Sequence, residues 1–255
     1  MYYRPRLIPC LSIINQDLVK TINFVKPRYL GDPINALKIF NGKGVDELCI
    51  LDITASKDKK EPNFNYLKDL ASEAFMPLSY GGGIATLDQI KKIFHIGYEK
   101  VIINTSFYNE AELITKAANY AGSQSIVVSI DVKVDMFGKW CCYKCGGSIK
   151  ENLEPAMMAK RAQELGAGEI LLNSINHDGM MDGYDIKLVK HVVNAVSIPV
   201  IACGGAGKLS HIREVFVDGG AHAAAAGSIF VYYGPHNAVL ITTPKEEDLI
   251  EAGIY

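Results

Sequence analysis

Asp131 follows the apolar run Ser125–Ile130, and Ser12 stands near the end of a similar run, Leu7–Ile13. A carboxylate at the end of a strand-like run is placed for general acid–base work, worth roughly 10²–10⁴-fold in rate. A serine hydroxyl can donate or accept a hydrogen bond, but it cannot act as a carboxylate base near neutral pH. Asp52, after the run Glu47–Leu51, is a further carboxylate of this kind. It either serves a substrate or ties down its own loop by local hydrogen bonds. Around these carboxylates the chain sets glycine-rich turns: Gly81-Gly82-Gly83 and Asn104-Thr105-Ser106 in the first half, Asp178-Gly179, Gly204-Gly205 and Gly227-Ser228 in the second. Glycine allows close backbone approach, and a helix start beside it offers free N–H groups, worth roughly 0.3–1 kcal/mol to an anion. Anion sites on opposite sides of one mouth imply a ligand with a phosphate at each end. The alternative is that the glycines serve only their turns.

The elements that must hold these residues are written twice. Pro77–Ser106, PLSYGGGIATLDQIKKIFHIGYEKVIINTS, has the same plan as Pro199–Ser228, PVIACGGAGKLSHIREVFVDGGAHAAAAGS. Each is a short apolar run, a double glycine, an amphipathic run, a glycine stop and a second apolar run. Laying one half on the other also puts Leu48–Lys57 over Glu169–Asp178, and Arg6–Ile13 over Gln124–Val132. The short runs are apolar on both faces, as parallel strands covered by helices are. Helix ends are legible between them: Asp32-Pro33 opens one helix with Gly42 after it, and Thr86 with Gln89 forms a capping box closed by Gly97. Eight β-α units in 255 residues predict a (β/α)8 TIM barrel built from two duplicated half-barrels, about 1–122 and 123–255. A doubly wound open sheet is the structural alternative. In the barrel, Ser12 and Asp131 occupy equivalent strands on opposite sides and face one central ligand.

With 26 basic and 28 acidic residues, the net charge of −2 offers no general attraction for nucleic acid or an anionic membrane. Six cysteines, three of them inside expected strands, point to a reduced cytoplasmic compartment. The apolar N-terminal run is needed as the first strand, so neither a leader nor a membrane span is expected.

Several segments lie outside the repeat. The first loop, Asn15–Pro33, carries Lys20, Lys26 and Arg28 and is read as a lid or a mobile solvated loop. A hairpin insertion at about 134–150 holds Trp140 and the Cys142-x-x-Cys145 pair, expected as an apolar flap without metal because only three cysteines cluster there. His177 and His236 fall in loops that can reach a substrate, whereas His95, His191, His211 and His222 fall on helical or helix-to-strand segments. An atypical tail, 234–255, stands where an eighth long helix should pack.

Together RLIPCL, VDELCILDITAS, PLSYGGGI, EKVIINTS, SQSIVVSIDVK, GAGEILLNSINHDGMMDGYD and IPVIACGGAGK resemble the cyclase subunit of imidazole glycerol phosphate synthase, from Arg6 to about Phe230. The resemblance implies an enzyme without cofactor that takes ammonia from a docked glutaminase subunit. The ammonia splits and cyclises a bisphosphorylated ribulosyl-formimino substrate in histidine biosynthesis. It implies that Gly83, Asn104 and Thr105 hold one phosphate, that Asp178, Gly179, Gly205, Gly227 and Ser228 hold the other, and that Lys20 closes the site. It also implies an ammonia gate of Arg6, Glu47, Lys100 and Glu169 at the barrel floor, with Glu99 and Gln124 at the glutaminase interface. The family's two catalytic aspartates stand at the ends of strands one and five. Here the second is Asp131 and the first is Ser12. With the altered first loop and tail, this departure resembles paralogues that deliver ammonia to an N-acetyl sugar amidotransferase, for acetamidino modification of surface sugars. The other readings are a true histidine-pathway cyclase and a non-catalytic scaffold that activates the glutaminase.

Overall fold

The computed structural model describes residues 4–255. Eight parallel strands form the barrel: β1 (Arg6–Ile14), β2 (Leu48–Asp52), β3 (Leu78–Gly81), β4 (Lys100–Ile103), β5 (Ile126–Val134), β6 (Glu169–Ser174), β7 (Val200–Cys203) and β8 (Ala223–Ala226). Each pairs with the next, and β8 pairs back onto β1 through Arg6↔Ala223 and Ile8↔Ala225. The closed ring rules out the open-sheet alternative.

Alternation along each strand separates two cores. Ile8, Cys49, Ile102, Val127, Leu171 and Ile201 fill the barrel interior. Residues of opposite phase, such as Leu7, Leu48, Val101 and Ile170, pack outward against helices. Those helices start where the sequence says. Asp32 caps Pro33–Lys43 through the Ile34 amide, and Thr86 and Gln89 form the capping box of Leu87–Ile96. The first helix runs through Gly42 and ends at Gly44 in a left-handed cap, two residues beyond the expected stop.

Three segments refine the sequence reading. The first loop is an ordered antiparallel hairpin, Asp17–Ile22 and Val25–Gly31, whose first strand pairs with the end of β1 through Ser12↔Val19. Asn15, Gln16, Asn23 and Phe24 supply the positive φ of its two turns. After β5 the insertion is also a hairpin, Trp140–Lys144 and Ile149–Glu151, with Asp131 paired to Tyr143. In the tail a two-residue hairpin, Tyr232–Tyr233 with Ala238–Val239, leads into an extended stretch bonded to Phe230 and Val231. A short helix, Glu246–Glu251, follows, and Leu249 and Ile254 are buried against the barrel.

Candidate active site and barrel floor

The C-terminal ends of the strands surround a cavity of about 140 Å³. Ser12, Asp131, Lys20, Asp52, Gly83, Asn104, Thr105, Asp178, Gly179, Gly205, Gly227 and Ser228 all line it. Phe24 at the hairpin tip packs against Gly147 of the flap turn, so these two insertions meet above the mouth.

Asp131 is buried, and its Oδ1 accepts a hydrogen bond from Ser129 Oγ at 3.2 Å. Burial pushes its carboxyl up to about 7, against the opposing Ser129 hydrogen bond and with a smaller push from the negative charge of Asp178. A carboxyl titrating near neutrality can both give and take a proton at working pH. Ser12 lines the same cavity and adds no second ionisable group.

Asp178 and Asn104 are committed to the protein itself. Asp178 accepts from Lys20 Nζ at 2.6 Å and from Thr21 Oγ1 at 2.8 Å, and its carbonyl accepts from the Asn23 amide. Its carboxylate is therefore an anchor for the first hairpin, and the Lys20 side-chain stem lies beside Gly227. Gly179 must be glycine there, because at φ +76 a Cβ would meet the Thr21 carbonyl. Asn104 Nδ2 donates to the Ser129 and Tyr143 carbonyls at 3.1 and 3.3 Å, fastening the flap to β5. Ser228 Oγ, by contrast, is buried without a partner among the described residues.

Asp52 caps its own loop, accepting from the Thr54 amide, Thr54 Oγ1 and the Ala55 amide. Of the two readings of this residue the local tie is realised, while the side chain still borders the cavity. His177 pairs with Asp182 at 2.9 Å, His236 is exposed, and neither lines the cavity. Cys142 and Cys145 do not share a site. Cys142 is fully buried in the outer core, its thiol pushed up to about 12 by burial, whereas the Cys145 amide donates to Thr105 Oγ1.

At the opposite end, Arg6, Glu47, Lys100 and Glu169 form a closed ring of alternating charge. Arg6 bonds Glu47 at 2.8 Å and Glu169 at 2.5 Å, and Lys100 bonds the same two carboxylates at 3.0 and 2.8 Å. Beside the ring lies an open depression of about 750 Å³, lined by Glu99, Gln124, Lys100 and Glu169 among others.

Residues 6–237 match the family model described as histidine biosynthesis protein. A Pseudomonas aeruginosa protein, provisionally named imidazole glycerol phosphate synthase subunit hisF2, is 46% identical over 246 residues, 96% of this chain and 98% of its own. A Leptospira borgpetersenii relative with a similar provisional name is also 46% identical, over 96% of this chain and 97% of its own. The imidazole glycerol phosphate synthase subunit HisF of Alkaliphilus metalliredigens is 41% identical over 89% of this chain and 90% of its own. The chain belongs to the HisF-like cyclase subunit family of imidazole glycerol phosphate synthase.

In this HisF-like barrel the cavity also contains groups that the sequence reading passed over: Asn173, Ser129, Thr21 and Phe24. Asn173 had a signal. It is the one amide in EILLNS and lies four residues after Glu169, so strand alternation points both side chains inward. Thr21 and Phe24 had none, because their place depends on the first hairpin folding back over the mouth.

Proposed function

We propose that this HisF-like chain is the ammonia-receiving barrel subunit of a glutamine amidotransferase pair, working in the cytoplasm with a glutaminase docked on its floor at Glu99 and Gln124. Arg6, Glu47, Lys100 and Glu169 gate ammonia into the interior. The mouth holds two phosphates, one at the turn of Gly83, Thr105 and the Asn104 backbone and one at the turns of Asp178-Gly179, Gly205, Gly227 and Ser228, with Lys20 closing over it. The nitrogen is passed on for acetamidino modification of a surface sugar through a sugar amidotransferase. One observation carries the last step: the mouth offers Asp131 as its buried central carboxyl, and across from it stands Ser12. A barrel with half of its acid–base pair loses roughly 10²–10⁴-fold in proton-transfer catalysis. The numbered name of the relative hisF2 also suits a second, specialised copy.

The experiment is turnover of the ribulosyl-formimino bisphosphate with ammonium salt, comparing the native protein with Ser12→Asp. Silence in the native protein supports ammonia delivery to another acceptor, and rescue by Asp adds that the mouth otherwise suits the bisphosphate. Native turnover overturns the sugar assignment in favour of a histidine-pathway cyclase with Asp131 as its main acid–base group. That second reading is favoured by the full set of phosphate-type residues around the cavity.

A further inference from the structure

Above the floor ring the barrel interior is an apolar waist, formed by Ile8, Cys49, Ile102, Val127, Leu171 and Ile201. Asn173 is the inward residue of β6 above Leu171 and Glu169, and its Cα is the register partner of Asp131 on β5. It is 5% exposed and lines the mouth cavity. Its Oδ1 is buried without a hydrogen-bond partner among the described residues, and none is present for its amide nitrogen there. The oxygen stands 3.0 Å from where a Cβ on residue 204 would be, so Gly204 leaves it open space. The neighbouring polar groups are spent otherwise: Ser129 on Asp131, Asn104 on two carbonyls.

An unpaired buried amide carries a desolvation cost that is removed when a ligand completes it. A small neutral N–H donor that has crossed the waist has lost its water hydrogen bonds and carries the complementary deficit. We propose that Asn173 is the receiving residue for ammonia at the top of the barrel, accepting an N–H and turning the nitrogen lone pair toward the ligand held beside Asp131. This rests on the ammonia-using reading above. Asn173 is a positioning residue: it makes no bond to the nitrogen beyond a hydrogen bond and moves no proton.

The test is the ¹H–¹⁵N spectrum of the full chain, with the Asn173 side-chain amide assigned by its loss in Asn173→Leu and again in Asn173→Ser. Ammonium chloride is titrated at alkaline pH, against potassium chloride at equal ionic strength. A saturable, ammonium-specific shift of the Asn173 amide that grows with the neutral fraction as pH rises supports the assignment. No shift, or one reproduced by potassium, overturns it. The ammonia-using reading fails separately, when ¹⁵N from labelled glutamine never reaches the barrel mouth in the glutaminase complex although the Asn173 shift is present.

Discussion

Lys20 and Asp178 form a 2.6 Å ion pair, both side chains nearly buried, that joins the first hairpin to the loop after β6 across the mouth. Breaking one side of such a pair leaves a buried charge unpaired, at a cost of about 3–5 kcal/mol. Lys20→Met should therefore destabilise the protein and release the hairpin. Hydrogen exchange at Asn23, whose amide donates to the Asp178 carbonyl, should accelerate more than exchange in β5. Equal protection in variant and native protein would refute the anchor.

Asp131 makes stability depend on pH in a defined direction. Its native carboxyl titrates at about 7, far above the unfolded value of about 3.9. Below the unfolded value both states hold the proton and stability is undiminished. As pH rises toward 7 the unfolded chain releases it first, so native stability falls, by about 4 kcal/mol in all. Asp131→Asn should therefore match the native protein near pH 4 and exceed it by up to that amount near pH 8, read by urea denaturation at both values. A pH-independent difference would count against the burial argument.

The floor ring predicts a kinetic split. Lys100→Met or Glu169→Gln should lower glutamine-dependent activity in the glutaminase complex more than activity with added ammonium salt. Equal loss of both would remove the gate.

Gly205 sits at φ +116, and a Cβ there would run into the Gly183 carbonyl. The loops after β6 and β7 touch at this point, where the Gly183 amide donates to the Gly205 carbonyl. Gly205→Ala should cost at least about 1–3 kcal/mol of backbone strain and weaken binding of inorganic phosphate. Calorimetry and thermal melts measure both, and unchanged melting would refute the contact.

The barrel was legible because its β-α units repeat half on half and its strand runs are apolar on both faces. Arg6, Glu47, Lys100 and Glu169 share the inward phase at strand starts, and the mouth residues share it at strand ends. The hairpin Asp17–Gly31 was not legible, since Pro27, Gly31 and turn residues at positive φ interrupt any period-two pattern. Nor could sequence reveal that Asp178 and Asn104 are held by the protein. Their partners, Lys20 and the Ser129 and Tyr143 carbonyls, come from distant segments that meet only in the folded mouth.

The four alanines of β8 and the tail beyond them give the barrel a seam. Ala223 and Ala225 face inward and Ala224 and Ala226 outward, so this strand buries less apolar surface than any leucine- or isoleucine-bearing neighbour. Alanine is also a poor strand former. Outside it, Phe230 and, from the tail, Leu249 and Ile254 provide buried contacts where a full helix would otherwise lie. Phe230 meets Phe40 edge-to-face at 6.4 Å and so bridges to the first helix. On this side of the barrel the bulk of the outer layer comes from the residues after β8, not from the strand itself.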